Sequence, residues 1–170
     1  MPPVLPDVLE PDLRVVFCGT QAGAVSAARG AYYAGPGNKF WSVIHEIGLI
    51  PERLAPERFR ELPRYGIGLT DVAKLTSGPD SALRGAHFDA EGLRARIAAH
   101  RPRYVAFNGK RAAQAALGAA AGSIAYGLQP GTFAGSGVFI LPSTSGAAAG
   151  FWSIEPWKDL ARAMTGTESP

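Results

Sequence analysis

Asp71 closes the run Tyr65-Gly66-Ile67-Gly68-Leu69-Thr70-Asp71, behind two glycines and the apolar Ile67 and Leu69. A carboxylate in that setting either caps the turn that follows, the common fate of an aspartate after a threonine, or is kept there for chemistry. The chemistry open to it is orienting a water molecule or offsetting positive charge that develops on a substrate. The segment Gly19-Thr20-Gln21-Ala22-Gly23 is small and glycine-rich, so its backbone can approach a ligand closely. Gln21 brings an amide to it, which either meets a ligand or satisfies groups of its own loop. Ser143-Thr144-Ser145-Gly146 offers hydroxyls and backbone N–H groups of the kind that grip phosphates; its plainer reading is a turn capped by its own hydroxyls. Asn108-Gly109-Lys110-Arg111 could hold an anion, although the spacing of a P-loop is absent and a solvated basic face is the ordinary outcome.

Such loops need elements to place them. Leu13-Arg14-Val15-Val16-Phe17-Cys18, stopped by Gly19, has the β-branched and aromatic character of a buried strand. Tyr104-Val105-Ala106-Phe107 and Val138-Phe139-Ile140-Leu141 repeat it. Between them lie helical patterns. Asn38 can cap a helix with Phe40, Val43, Ile44 and Ile47 on one face and Gly48 at its end. Further helices are predicted over residues 56–62, 90–100, 109–117 and 156–164, whereas the glycines at 66 and 68 forbid a regular helix there. Strands alternating with helices predict an α/β fold: a three-layer α/β/α domain around a central, mostly parallel sheet of four to five strands. Ligand sites in such sheets lie at the carboxyl ends of the strands, which directs attention to the loops after Cys18, Phe107 and Leu141.

With 170 residues, the chain is expected to form one domain over residues 13–164, with proline-rich residues 1–12 and small, polar residues 165–170 as tails. Its longest apolar runs fall far short of the roughly 18 residues of a membrane span, and no basic-then-apolar leader opens the sequence. One cysteine and the scattered His45, His87 and His100 form no plausible metal-ligand spacing. No membrane and no metal are therefore expected, and a reducing, cytoplasmic setting fits. A net charge of +3 is compatible with a polyanionic partner without demonstrating one.

Phe17-Cys18-Gly19, continuing through Gln21 and Gly23 to Asn38-Lys39-Phe40-Trp41, resembles the mismatch-specific uracil-DNA and thymine-DNA glycosylase branch of the uracil-DNA glycosylase superfamily. There, F-C-G leads into G-I-N-P-G and then H-P-x-N-R-F-W. Tyr65 to Asp71 is similar to that branch's G-[IV]-G-[FL]-T segment, and Leu141-Pro142-Ser143-Thr144-Ser145-Gly146 to its L-P-N-P-S-G loop. The resemblance covers roughly residues 13–160 and implies a cofactor-free, monofunctional glycosylase that releases uracil, or another deaminated base, from DNA during base-excision repair. A nucleobase cannot be hydrolysed inside a duplex, so such an enzyme takes the nucleotide into a pocket.

By the resemblance, Tyr33 stacks the base, Gly19, Thr20, Ala22, Gly23, Ser26 and Asn38 line the pocket, and Ser143, Thr144, Ser145, Gly146 and Ala147 hold DNA; Lys110, from the basic segment read above, is expected to add a contact to the DNA backbone. The sequence departs from the branch in three places, the smallest being Ala22 where the branch has proline. Gln21 replaces the catalytic asparagine, which leaves the catalytic role to Asp71 or to Gln21, one methylene longer. Gly146-Ala147-Ala148-Ala149 replaces the apolar wedge and the arginine that probes the opposite base, so activity on single strands or several base contexts is expected. Phe151 or Trp152 either takes over the wedge or is buried against the closing helix. The expected partner is uracil-containing DNA, single- or double-stranded, met by a monomer. A damaged-DNA-binding module without catalysis on the same fold is the other reading.

Overall fold

Along the first strand, β1 (Val15–Gly19), alternate side chains leave in opposite directions and both sets are buried. Val15 and Phe17 enter one apolar cluster, Val16 and Cys18 a second, as a strand covered on both faces requires. The computed structural model describes residues 2–79, 88–118 and 124–166. It contains a five-stranded sheet in the order β2-β1-β3-β5-β4. β2 (Ile67–Asp71), β3 (Tyr104–Asn108) and β5 (Ser136–Leu141) run parallel with β1, and β4 (Gly127–Phe133) returns antiparallel along β5.

One layer carries α2 (Phe40–Glu46), a 3₁₀ turn over Pro56–Tyr65 and α5 (Glu155–Thr165). They contribute Phe40, Val43 and Ile44, then Phe59 and Leu62, then Trp157, Leu160 and Met164. The other layer is α3 (Ala90–His100) and α4 (Lys110–Leu117), through Leu93, Ile97, Ala112, Ala113 and Ala116. This is the three-layer α/β/α fold expected from the alternation of strands and helices. Among the described residues, no helix is long and apolar enough to cross a membrane.

Several expectations need correction. The Tyr65 to Asp71 run avoids a regular helix, as expected, and contains strand β2, because pairing with β1 outweighs the poor strand propensity of glycine. What approaches Gly68 is the N-terminal segment, expected to be a tail. Val8 and Leu69 exchange backbone hydrogen bonds, both 2.9 Å, which closes the sheet edge. Leu5 and Val8 are buried. Asp7 pairs with Lys74 at 2.9 Å and Arg96 at 3.0 Å, and accepts a hydrogen bond from the Thr70 hydroxyl at 2.7 Å. The prolines around this segment favour the extended backbone that such pairing needs. At the other end α5 includes Thr165, and residues 167–170 of the expected tail lie outside the described residues.

The turn at 56–65 is 3₁₀ rather than α, with Pro63 inside it. Strand β4, bulged between Leu128 and Thr132 and carrying Pro130 and Gly131, lacked a readable alternation.

A methyl group on Gly68 would lie 2.5 Å from the Val8 carbonyl oxygen and 2.7 Å from Leu13 Cδ1. Gly68→Ala is therefore expected to destabilise the fold by about 1–3 kcal/mol, as overpacking does, with a lowered Tm in thermal denaturation. Gly150→Ala, where a methyl meets nothing within 4 Å, is the control expected to leave Tm in place.

Candidate active site

Each parallel strand delivers a residue to the same end of the sheet: Gly19 from β1, Asp71 from β2, Asn108 from β3, and the loop after Leu141 from β5. Gly19 and Asp71 are paired in register, as are Asn108 and Leu141. These residues border a cleft of about 810 Å³. Its lining brings together Gly19, Thr20, Gln21, Ala22, Gly23, Ser26, Tyr33, Asn38, Asp71, Lys110, Ser143, Thr144, Ser145, Gly146 and Ala147.

Asp71 is only 4% exposed. A methyl group built on Gly19 would lie 2.7 Å from its Oδ1 and 3.2 Å from the Tyr33 hydroxyl oxygen, so the missing side chain of Gly19 is the space that both groups share. The Asp71 carbonyl accepts from the Arg96 guanidinium at 3.2 Å, and its N-terminal neighbour Thr70 is tied to Asp7. The carboxylate thus stands on fixed backbone. Its charge is felt around it. Burial first and Asp71 second push the Cys18 thiol well above the usual thiol range, which makes Cys18 an inert packing group. The same two causes, in the same order, raise the Tyr33 hydroxyl against the opposing pull of the Asn108 side chain, so Tyr33 stays neutral.

Tyr33 adopts a positive φ of 54°, a conformation uncommon outside glycine and asparagine. Its ring stacks on Phe40 with centroids 4.2 Å apart and planes at 27°, and the half-buried side chain lines the cleft. Ser26, in α1 (Ala24–Arg29), explains how that turn is held: its hydroxyl accepts from the Ala34 N–H at 2.9 Å, and its carbonyl from the Ala31 N–H at 3.1 Å. Asn38 does not occupy the cap position, which falls to Lys39; its Oδ1 accepts from the Phe40 N–H at 3.0 Å.

Gln21 proves to be engaged with its surroundings. Its Nε2 donates to the carbonyls of Gly78 at 2.9 Å and Pro79 at 3.1 Å. The carbonyls of Gly19, Thr20, Ala22 and Gly23 accept from the N–H groups of Val72, Ala73, Gly78 and Ala27, which fixes the loop as a rigid wall.

The 143–147 loop, expected to hold DNA, lines the cleft and is braced from within. Thr144 is 1% exposed. Asn108 holds it at both ends, donating from Nδ2 to its hydroxyl and accepting at Oδ1 from its N–H, both at 3.0 Å. The Ser143 hydroxyl accepts from Ser145 N–H at 3.2 Å, and the Ser145 hydroxyl from Ala147 N–H at 3.3 Å. Gly146 and Ala147 are the exposed part. The Thr144 carbonyl accepts from the Lys39 N–H at 2.9 Å, which locks this loop to the start of α2. Asn108 is therefore a positioning residue that sequence reasoning considered only as part of an anion-binding segment. Its place as a polar residue ending a buried strand was the available signal.

Lys110, at the start of α4, lies 4.5 Å from the centroid of the Tyr126 ring. Trp152 packs beside Trp157, with centroids 6.1 Å apart, whereas Phe151 is 77% exposed and escapes burial against the closing helix. Among the described residues, no group of three or more His, Cys, Asp or Glu is placed to hold a metal ion. The arrangement is a cleft with a carboxylate beside a neutral tyrosine ring, able to hold a planar group against the ring and a polar atom against the acid.

Residues 6–161 match the family model for the Uracil DNA glycosylase superfamily. The fold is similar to a solution NMR structure of a uracil DNA glycosylase candidate from Methanosarcina acetivorans, with a TM-score of 0.64 and 26% identity over 95% of this chain and 97% of that one. The matched span contains every strand of the sheet and every cleft residue named above. The chain belongs to the uracil DNA glycosylase superfamily, and its general function is that of a DNA glycosylase.

Proposed function

We propose that the protein is a monofunctional glycosylase of the mismatch-specific uracil and thymine branch, hydrolysing the bond between uracil and deoxyribose in DNA, with Asp71 as the catalytic group. The observation that carries this reading is the Asp71 carboxylate, 4% exposed, sharing the space above Gly19 with the Tyr33 hydroxyl. A nucleotide turned out of its strand places its base against Tyr33 and its sugar near Asp71. As the C1′–N1 bond breaks, the electron pair leaves with the base and positive charge grows on the sugar. The carboxylate offsets that charge and orients the water whose oxygen bonds to C1′; the proton lost by that water neutralises the departing uracil anion. Free uracil and an abasic site result.

Lys110 lies against the Tyr126 ring in the cleft lining, where it can meet the DNA backbone. Gly146 and Ala147, the exposed part of their loop, are suited to flank the phosphates beside the flipped nucleotide. The bonds from Gln21 to Gly78 and Pro79 support a wall-building role for that amide.

The test is single-turnover incubation with labelled oligonucleotides carrying one uracil, single-stranded and opposite each base, followed by alkaline cleavage. Abasic sites should appear, with no strand nicking before alkali. Gln21→Ala is expected to slow release by about tenfold or less, the scale of a small displacement rather than the loss of a reacting group. Tight binding of uracil-containing DNA with no base released at high enzyme concentration would instead select the non-catalytic damage-binding module.

A further inference from the structure

Two exposed rings line the cleft in addition to Tyr33. Phe151 ends the 3₁₀ turn Gly146–Phe151 and is 77% exposed. Tyr126, 37% exposed, directly precedes β4, whose first residue Gly127 pairs with Ile140. It therefore lies at the sheet end where the strand before the 143–147 loop terminates. Both rings line the cleft, as do Lys110 and the exposed Arg111. In the sheet order, β1 is separated from β4 by three strand spacings, about 14 Å. The mouth thus extends well beyond the room that one base beside Tyr33 needs.

A phenylalanine this exposed on a rim that also carries cations asks for a ligand with flat apolar faces and negative charge. Nucleotides have both: the base stacks on the ring and the phosphate meets the cation. A paired duplex keeps its bases stacked on one another and offers at most one step to a wedge. Two exposed rings lining one cleft offer two stacking faces, more than the single step that a duplex opens to a wedge, so unpaired bases suit them best. Lys110 lies over the Tyr126 ring, which sets a cation beside the aromatic surface that a nucleotide would meet.

We infer that the cleft mouth is a track for single-stranded DNA, in which Phe151 and Tyr126 stack nucleotides flanking the one held at Asp71. This inference deepens the glycosylase reading and rests on it for the position of the flipped base, but strand binding can be measured without uracil.

The experiment is fluorescence anisotropy with a labelled, uracil-free single strand of about 15 nucleotides, and with the same sequence as a duplex, at matched salt. The intact protein is expected to bind the single strand about tenfold more tightly than the duplex. Phe151→Ala and Tyr126→Ala should each weaken single-strand binding by about tenfold. Phe151→Trp and Tyr126→Phe, which keep a ring, should retain it to within about twofold and show that the loss is of stacking rather than of fold. Duplex binding as tight as single-strand binding would overturn the inference, and so would a Phe151→Ala loss confined to the duplex, the behaviour of a wedge. Aromatic-dependent single-strand binding without uracil release would uphold the track and remove the glycosylase reading. Uracil release with no single-strand preference would do the opposite.

Discussion

Asp71→Asn is expected to slow single-turnover release of uracil by about a hundred- to ten-thousandfold, the range that a positioned acid or base contributes. Asparagine matches the shape of aspartate, so the space above Gly19 stays filled and the β2 pairing with β1 is untouched. What disappears is the negative charge. In water, that charge would be replaced by solvent. At a side chain 4% exposed it is not, and the growing positive charge on the sugar loses its counterpart. Affinity for uracil-containing DNA should change far less than the rate, because base stacking and backbone contacts do not pass through the carboxylate. Release rates at saturating enzyme, set beside binding isotherms for the same oligonucleotide, separate the two effects. A parallel fall in affinity and rate, with a lowered Tm, would point to a structural role for Asp71.

Gly19→Ala is expected to cost about a hundredfold in the same rate while leaving most of the stability intact. The added methyl would lie 2.7 Å from Asp71 Oδ1, closer than real contacts allow, and 3.2 Å from the Tyr33 hydroxyl oxygen, a tight contact. Gly19 is not among the residues with positive φ, so alanine is compatible with the backbone and the conflict is with the two side chains alone. They must move by a sizeable fraction of an ångström, and displacements on the 1 Å scale cost about a hundredfold when the group that moves is the one that reacts. Adding Tyr33→Phe to Gly19→Ala should not restore the rate, because the tighter contact is with Asp71. Thermal denaturation beside the release assay checks that the loss is one of placement. Full activity in Gly19→Ala would mean that the carboxylate is not used where it stands.

The parts of this architecture that the residues announced are those whose cause is local. β1, β3 and β5 read as strands because Val15 to Cys18, Tyr104 to Phe107 and Val138 to Leu141 are apolar runs with two covered faces. The helices that cover them show the 3.6-residue spacing of Phe40, Val43 and Ile44 or of Leu93 and Ile97. What escaped detection is decided at long range. Gly68 leaves the space that Val8, sixty residues earlier in the chain, occupies, and the proline-rich start of the chain is held by the Val8–Leu69 bonds, the ion pairs of Asp7 and the burial of Leu5. β4 is an exposed hairpin strand whose glycines and proline hide its periodicity. In the cleft, Asp71 was identifiable from its odd setting and Tyr33 through family resemblance. The partners of Gln21 lie 57 and 58 positions away, and those of Asn108 lie 36 away, so their parts in building the walls could not be read locally. The same holds for Thr144, whose hydroxyl and N–H are bonded to Asn108 at the end of β3, a partner that the loop's own serines and threonines do not announce.

Which group carries the reaction is measured most directly as uracil release from one labelled single strand by wild type, Asp71→Asn and Gln21→Ala under single-turnover conditions. Release by wild type, lost in Asp71→Asn and largely kept in Gln21→Ala, is the predicted result. Full release by Asp71→Asn together with its loss in Gln21→Ala would contradict the assignment and return the reaction to the amide at Gln21.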